Sequence, residues 1–507
     1  MPTLVRPVDG VVRYLVAASV LGYHNCITAS IRLRPLYSQS STVSSYHPHV
    51  WGTAVHRALC DCLAMHACLW TVVLDATSAT PKYALLDNGE LSLKDAVKVV
   101  QRGNDVGEDQ AVRRCVELEV NTPFDLVSKT PLFRVTVILP HESELGALPS
   151  LRPSVDIVVS MHHVVGDGKS LVSFCKTLVT NLRHGTLEDV TISLPARPGG
   201  PESVASLRKL APATGLSIVF LLYVGLLELA KRVSIIGRRF FGLGYWRGNN
   251  VKYNIHDSGR CRVLDFELNE MDMESLSDLC KSRKTSLHAT ISAACTLACA
   301  RISSPTSCHG KRPITIRTNH TICLRPSCNP PVPNTIIGNF ASGCHTDLVL
   351  QDPAERVPVK HFWEMARTSV RQLRIGWAWW ALRIIATMDL VPDYHAFHTR
   401  ENTLQCSVTI SNLGRIEFEP ANAVKIQLGS SAEPTAAHWE VESASGAQTA
   451  HPFWGPYTIV LATVRGKMKV TLVYREKVLG DDLEAKRFLL KLKEVFHCVI
   501  TQSTEGI

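Results

Sequence analysis

The spacing of apolar residues follows two different periods along the chain, and each period predicts a different element. Apolar side chains alternate in residues 131–139, and residues 155–161 form a short apolar run between turn residues, so both segments predict strands. In residues 50–74 the apolar positions first recur at helical spacing and then become continuous, which predicts a helix followed by a strand. We expect residues 11–34 to form apolar strands and turns.

A helix is predicted directly after the strand at 155–161. Leu171, Phe174 and Leu178 are spaced by three and four residues, which places their side chains on one face of a helix. Ser170 precedes this face and is a residue type that caps helix N-termini. Gly185 is expected to end the helix, because glycine is common just beyond helix C-termini.

The second half of the chain shows the same alternation of periods. Strands are predicted at 261–268, 314–324, 406–410, 457–464 and 469–474, and helices from 286, at 358–382 and at 483–499. Alternating strands and helices in both halves predict an α/β fold. We assign residues 1–186 to an N-terminal lobe, residues 187–260 to a connecting segment and residues 261–507 to a C-terminal lobe.

The connecting segment contains an uncharged apolar stretch of eighteen residues, 210–227. At a rise of ~1.5 Å per residue it is about 27 Å long, just short of a ~30 Å hydrocarbon core, and Pro212 shortens the usable helix further. Three interpretations stay open: a buried helix, peripheral contact of 210–239 with a membrane surface, and a span. We expect one of the first two. Basic residues that would suit an anionic membrane surface follow the stretch: Lys231, Arg232, Arg238 and Arg239.

Composition excludes several classes of protein. Of the 507 residues, 45% are hydrophobic, which excludes a disordered, collagen-like or coiled-coil chain as a whole. The net charge of +9 is a mild excess without long basic runs, so we expect no nucleic-acid partner. Arg6, Asp9 and Arg13 argue against a signal peptide. The 16 cysteines include no CxxC pair, so we expect reduced thiols, no metal site and a cytoplasmic protein. We also expect a monomer.

The segment His162-His163-Val164-Val165-Gly166-Asp167-Gly168 carries the strongest candidate chemistry, because it lies between the predicted strand and the predicted helix. A histidine can take a proton from a hydroxyl and return it near neutral pH. The glycines permit unusual backbone angles and close approach of neighbours. Adjacent histidines on a strand point to opposite faces, which disfavours joint metal binding. The alternative is a pair of histidines at a strand end with a turn aspartate.

This segment matches the HHxxxDG motif of the coenzyme A-dependent acyltransferase superfamily, which includes chloramphenicol acetyltransferase, plant BAHD acyltransferases and condensation domains. Other stretches resemble the fungal alcohol O-acetyltransferase branch of that superfamily, and their order covers nearly the whole chain: 6–23, 124–126, 131–134, 286–290 and 411–414. The DFGWG motif of the BAHD enzymes is absent, since Phe453-Trp454-Gly455 matches it too loosely. We therefore do not expect this chain to make the contacts that the DFGWG motif makes in the BAHD enzymes.

The resemblance implies a fold and roles for residues. The implied fold is α/β, with two chloramphenicol acetyltransferase-like lobes, each a mixed sheet with helices, and an active-site tunnel between them. His163 is implied as the general base, and Asp167 as a structural residue that turns away from the substrate and pairs with an arginine. Arg325 is the best-placed arginine by order along the chain, although a surface position beside a proline loop is the alternative. His162 and Gly168 are expected to support the site.

Three further polar residues are candidates for contacts with the substrate or with a developing oxyanion. Ser411 and Asn412 follow the predicted strand 406–410, and Asn339 lies between Gly338 and Phe340. The alternative for Ser411 and Asn412 is an ordinary strand-to-turn corner.

The resemblance implies an O-acyltransferase. We expect acetyl coenzyme A, or another acyl coenzyme A, as a co-substrate, no permanently bound cofactor, and the hydroxyl of a small-molecule alcohol, such as a terpenoid secondary metabolite, as acceptor. Neither a GxSxG elbow nor a Walker loop is present, which disfavours hydrolases and NTPases. Two alternatives stay open: a condensation-like enzyme that takes its acyl group from a carrier-protein thioester, and an inactive relative that serves as a binding scaffold.

Overall fold

The computed structural model describes most of the chain. The described residues are 2–24, 26–35, 46–87, 90–126, 130–145, 153–182, 194–199, 207, 217–232, 244–249, 257–303, 313–352, 357–400, 404–418, 424–426, 437–479 and 482–501. The predicted helix end at Gly185, the start of the apolar stretch at 210–216, and Arg238 and Arg239 lie outside them.

Strands and helices alternate over most of the described chain. The strands are β1 (Thr3–Pro7), β2 (Cys26–Pro35), β3 (Thr71–Leu74), β4 (Lys82–Leu85), β5 (Val97–Gln101), β6 (Phe133–Leu139), β7 (Val155–His162), β8 (Cys261–Leu268), β9 (Ile314–Cys323), β10 (Ala341–Leu350), β11 (Val408–Arg415), β12 (Val424–Ile426), β13 (Ala437–Gln448), β14 (Tyr457–Val464) and β15 (Lys467–Arg475). The helices are α1 (Gly10–Val20), α2 (Pro48–Met65), α3 (Glu108–Asn121), α4 (Glu142–Leu145), α5 (Gly168–Leu182), α6 (Ile218–Arg232), α7 (Glu270–Ser282), α8 (Leu287–Ile302), α9 (Val359–Gly376), α10 (Leu382–Met388), α11 (Tyr394–Arg400), α12 (Glu476–Leu479) and α13 (Asp482–Thr501). A π-helical turn, Trp377–Ala381, joins α9 to α10.

The described strands form two six-stranded mixed sheets and a small three-stranded sheet. The first large sheet has the order β12-β13-β2-β7-β6-β5, and the second has the order β10-β9-β11-β14-β15-β8. Each contains both parallel and antiparallel pairs, such as parallel β5 with β6 and antiparallel β6 with β7. The central strand β7 is buried along its whole length, as its apolar sequence predicts.

The assignment of residues 261–507 to one lobe needs a correction. Strand β13 pairs with β2 along nearly its whole length, so residues 437–448 belong to the sheet of the first lobe, and β12 follows them. The chain therefore crosses back between the lobes after β11. The reason is pairing across the junction: β2 has β7 on one side and needs a partner on its other side.

The predicted strand and turn structure at 11–34 is wrong in its first part. Helix α1 occupies Gly10–Val20, and the Asp9 carboxylate caps it by accepting a hydrogen bond from the Val12 amide at 3.1 Å. Val12, Leu15 and Val16 are buried at helical spacing. Because other apolar residues lie between and beside them, the helical period cannot be recognised in the sequence. The second part is a strand, β2, as predicted.

The described part of the apolar stretch forms α6, which extends beyond Glu228 to Arg232. Within the described residues, no helix combines the length and apolar character that crossing a bilayer requires. The helix is also not buried: its outer face is exposed, whereas Phe220 is buried against the protein. The interpretation of a plainly buried helix is therefore wrong.

Candidate active site

A mostly apolar cavity of about 500 Å³ lies between the two large sheets. Ile27 and His163 line it from the first lobe, and Asn319, Ser342 and Ser411 line it from the second. This volume is within the range of small-molecule sites in proteins. The cavity lies where the resemblance implies a tunnel, at the junction of the lobes.

His163 reaches this cavity because it follows directly after a buried strand. β7 ends at His162, and the turn that follows is held by the Tyr83 hydroxyl, which donates to the Val164 carbonyl at 2.7 Å. Helix α5 then begins at Gly168. The Asp167 carboxylate caps this helix by accepting from the Ser170 amide at 2.9 Å, so Asp167 is the cap and the prediction of Ser170 is wrong.

His163 contacts its own backbone and Asn339. The Asn339 side-chain nitrogen donates to the His163 carbonyl at 3.0 Å and lies 3.4 Å from His163 Nδ1. Among the described residues, no hydrogen-bond partner faces Nε2. Burial lowers the pKa of His163, while the contact of the ring with its own backbone and the charge of nearby Asp167 partly raise it. The ring is therefore neutral at pH 7 and can accept a proton.

His162 points away from the cavity, as predicted for the neighbour on a strand. Its Nε2 lies 2.8 Å from the Ser19 hydroxyl, and its Nδ1 accepts from the Val164 amide at 3.1 Å. The ring is fully buried against the edge of Phe124. Burial, reinforced by the charge of His163, lowers the pKa of His162 to about 3, so this ring stays neutral and supports the turn.

Asp167 also turns away from the cavity and forms the predicted ion pair with Arg325. Arg325 Nη1 donates to Asp167 Oδ2 at 2.6 Å, and both side chains are buried. The Phe340 amide donates to the same oxygen at 2.9 Å. The other end of the guanidinium donates to the Ser170 hydroxyl at 2.8 Å and to the Gly338 carbonyl at 3.2 Å. This network joins the turn of the first lobe to the second lobe.

The two glycines of the motif are explained by close packing, and the expectation of unusual backbone angles is wrong. Neither has a positive φ among the described residues. A Cβ at Gly166 would lie 2.5 Å from the Ser170 Cβ, and a Cβ at Gly168 would lie 2.7 Å from Leu413 Cδ2. Gly168 also lines the cavity, so a larger residue there would have to displace the end of the Leu413 side chain.

The other three predicted contact residues are not equivalent. Asn339 and Ser411 line the cavity, and Ser411 is largely buried in its wall. Ser411 and Asn412 lie inside β11, not at its end, so their side chains point to opposite faces. The Asn412 side chain instead accepts from the Gly414 amide at 2.8 Å, where the register of β11 shifts after Asn412.

Sequence reasoning missed a group of aromatic rings and histidines around His163. The rings of His24 and His163 are 5.3 Å apart, and His24 is bonded through Nδ1 to the Thr449 carbonyl at 2.8 Å. Tyr14 lines the cavity, and Trp454 donates to its hydroxyl at 3.0 Å. Isolated histidines and tyrosines carry no spacing signal, so only the fold brings these side chains together.

Comparison with known proteins was made for sequence and for structure. Residues 257–473 match the family model "Phthiocerol/phthiodiolone dimycocerosyl transferase C-terminus". Comparison with curated protein sequences finds no match.

Three solved structures illustrate the likeness of fold. Trichothecene 15-O-acetyltransferase TRI3 from Fusarium sporotrichioides has a TM-score of 0.70 and 12% identity, over 97% of this chain and 94% of that chain. Polyketide synthase associated protein 5 from Mycobacterium tuberculosis has a TM-score of 0.57 and 15% identity, over 99% and 100%. The condensation domain of the monacolin K polyketide synthase MokA has a TM-score of 0.54 and 11% identity, over 98% of each chain.

These likenesses show the fold: two chloramphenicol acetyltransferase-like lobes, as in acyltransferases and condensation domains. The matched family model, together with this fold, supports an acyltransferase of the coenzyme A-dependent and condensation-domain superfamily. Because one fold hosts several reactions, the reaction has to be argued from the site.

Proposed function

We propose that this protein transfers an acyl group, most simply acetyl, from a coenzyme A thioester to the hydroxyl of an apolar alcohol. The observation that carries the proposal is the position of His163, whose free Nε2 belongs to a neutral ring on the wall of the cavity between the lobes. The cavity wall is mostly apolar, which suits an acceptor such as a terpenoid secondary metabolite. The TRI3 neighbour, described as a trichothecene O-acetyltransferase, supports this substrate class by analogy.

In the proposed reaction, the acceptor hydroxyl gives its proton to His163 Nε2 as its oxygen attacks the thioester carbonyl. The resulting tetrahedral intermediate collapses, the carbon–sulfur bond breaks, and the same imidazole returns the proton to the departing thiolate. This reaction requires the tautomer with the hydrogen on Nδ1, which would donate to the residue's own carbonyl and keep Nε2 oriented throughout. No separate general acid is needed, because the protonated His163 ring itself returns the proton to the thiolate.

The developing oxyanion needs hydrogen-bond donors that are already in place. The Ser411 hydroxyl and the Asn339 amide are both on the cavity wall and are our candidates for this role. Asn339 is already oriented by its bond to the His163 carbonyl, and its side-chain nitrogen also lies 3.4 Å from His163 Nδ1. When Nδ1 carries a hydrogen, as the proposed reaction requires, it cannot accept from Asn339, and the second amide hydrogen can turn to a substrate. Asn412 is not proposed, since its side-chain oxygen accepts from the Gly414 amide within β11.

A covalent acyl-enzyme on cysteine is disfavoured. Cys406 lines the cavity, but burial raises the pKa of its thiol to about 12, and its Sγ donates to the Trp454 carbonyl. A protonated thiol is a poor nucleophile, so direct transfer between the two substrates is the simpler reaction.

The alternative donor is an acyl group on the phosphopantetheine of a carrier protein. The likeness to the MokA condensation domain favours this alternative, because the fold covers nearly all of both chains. Both donors carry the same thioester and would use the same base. An inactive binding scaffold is disfavoured, since the base, the ion pair and both close-packed glycines are all in place.

Purified protein incubated with acetyl coenzyme A and a panel of alcohols tests the proposal. We expect release of free thiol that depends on the alcohol, with the matching ester detected by mass spectrometry. The His163→Ala variant is the control, because it lacks the proposed base and so tests whether the ester is formed in the cavity. Ester formation from an acylated carrier protein, with none from any acyl coenzyme A, would instead establish the alternative donor.

A further inference from the structure

Helix α6 separates the cavity from the surface of the protein, and its two faces differ in what they contact. On the inner face, Val224 and Leu227 line the cavity, and Phe220 packs against Trp380 with ring centroids 5.3 Å apart. On the outer face, large apolar side chains are exposed at helical spacing: Ile218, Val219, Leu222, Leu226 and Leu229. Leu222 is 63% exposed.

The exposed apolar surface continues onto the end of α9. Phe220 also contacts Trp379, with ring centroids 6.0 Å apart, and Trp379 is itself partly exposed. Ile375 and Trp377 add further exposed apolar area beside it. We call the five outer-face residues of α6, together with Ile375, Trp377 and Trp379, the apolar patch. An exposed patch of this kind marks an interaction surface.

On the α9 and α10 side of the patch, the charged residues have one sign. Between Glu364 and Asp389 the sequence contains four arginines and no acidic residue. Arg371 and Arg374 are exposed on the last turns of α9, and the Arg383 guanidinium lies over the Trp379 ring at 4.6 Å. Exposed tryptophans between apolar residues and arginines are the arrangement found at membrane–water interfaces.

We propose that the apolar patch seats the protein on the surface of an anionic lipid bilayer. Leucine and isoleucine side chains would enter the acyl region, the tryptophans would lie at headgroup level, and the arginines would contact anionic headgroups. This is peripheral binding by one helix face; the inner face of α6 stays on the cavity.

The arrangement has a consequence for substrate access. In a protein bound to the bilayer by this patch, the α6 wall of the cavity lies against the membrane. Tyr223 is part of this wall and is also partly exposed at the surface. A lipid-soluble alcohol would then have a short path from the bilayer into the cavity. This consequence rests on the proposed function, whereas the docking itself does not.

Vesicle flotation of the full-length protein tests the docking without any substrate. We expect binding to phosphatidylcholine vesicles that contain phosphatidylserine, weaker binding without phosphatidylserine, and release by high salt. Leu222→Asp should lower the partition coefficient about tenfold or more, because it removes a large apolar side chain from the contact. Leu490→Asp is the matched control, since Leu490 is similarly exposed on α13 and lies outside the patch.

A second pair of variants tests the charge. Arg374→Glu should weaken binding to anionic vesicles about fivefold or more, and Arg114→Glu, at an exposed position on α3, should not. Equal binding by the wild type and Leu222→Asp, or no binding to either vesicle, would overturn the proposal. A dimer that Leu222→Asp dissociates, with no vesicle binding, would assign the patch to a second copy of the chain and also overturn it.

Kinetics test the access route separately. With a long-chain alcohol dissolved in vesicles, Leu222→Asp should raise the apparent KM and leave kcat unchanged, and it should not change the kinetics on a water-soluble alcohol. An unchanged KM in vesicles would refute the access route. If no ester forms with any alcohol, the proposed function fails while the flotation result still decides the docking.

Discussion

The turn after β7 has a cavity face and a junction face, and the two are built differently. On the cavity face, the Asn339 amide contacts both the backbone carbonyl and Nδ1 of His163, and Nε2 is left for a substrate. On the junction face, Asp167 accepts four hydrogen bonds, from Arg325, Phe340 and both the amide and hydroxyl of Ser170. The cavity face therefore keeps one polar atom, His163 Nε2, free to bond a substrate. On the junction face, the Asp167 carboxylate is already hydrogen-bonded within the protein.

This difference explains how a reactive group is held in place inside a junction between lobes. A base has to keep one nitrogen unbonded, so it cannot be held by that nitrogen. The rigidity comes from the junction face, where the ion pair and the Gly338 carbonyl connect the turn to the second lobe. Variants on the cavity face should therefore change the rate, and variants on the junction face should change stability first.

The largest effect is expected at the cavity face. His163→Ala should reduce kcat by about 10² to 10⁴, because it removes the proposed general base, while the protein stays folded. His162→Ala is the matched control: its side chain points into the first lobe, so it should cost less activity. Steady-state kinetics with circular dichroism of each variant measures both. Equal loss at the two positions in folded protein would contradict the assigned roles.

The next effect is expected at the junction face. Arg325→Ala leaves the buried Asp167 charge unpaired and should lower the free energy of unfolding by about 3–5 kcal/mol. Urea unfolding measures the change. Arg415→Ala is the control, because the Arg415–Glu417 pair is exposed and should matter little. The double variant Asp167→Asn with Arg325→Met should cost less than the two single changes added together. Additive costs would show that the two side chains are not coupled.

A smaller effect is expected from the support of His162. Ser19→Ala removes the hydroxyl from His162 Nε2, and the loss of a partner for a buried polar atom should cost about 1–3 kcal/mol. The rate should fall less than tenfold, because the cavity face is not altered. Thermal unfolding and kcat on the same preparation test this. A rate loss as large as that of His163→Ala would show that His162 has a direct part in catalysis.

Near neutral pH, the smallest effect is the dependence of the rate on pH. The proposed base works only when neutral, and burial holds the pKa of His163 below its usual 6.5. The value of kcat/KM should therefore be flat near pH 7 and should fall as the pH drops through that lowered pKa, up to about tenfold per unit. A rate that rises toward acid would contradict the role of base.

Stability should change with the same sign. His24, His162 and His451 are buried with lowered pKa values, so below pH 6.5 the unfolded state binds more protons than the folded state. The free energy of unfolding should thus decrease as the pH falls below 6.5. Urea unfolding at each pH separates this loss from the change in rate.

Local sequence patterns predicted the strand and the helix around the motif well. They predicted less well which residue caps the helix and which side of a strand each side chain faces. The strand at 155–161, the helix after it and the Asp167–Arg325 pair were all expected from the sequence or from its resemblance. Ser170 and Asp167 are both common caps, and only the backbone geometry shows which carboxylate or hydroxyl accepts the amide. Likewise, side chains on a strand alternate between its two faces, but this places Ser411 and Asn412 on opposite faces only once β11 is known to continue through both residues.

The sequence by itself determined the strand-to-helix turn that carries His163, because local apolar spacing and short-range turn chemistry act over a few residues. Tertiary structure alone decided the rest of the site. The Asn339 amide meets a carbonyl 176 residues away, β13 returns to the first lobe, and α6 presents one face to the cavity and one to the surface. The physical reason is that such contacts follow from how the lobes pack, and no periodicity along the chain records which distant surfaces will face each other.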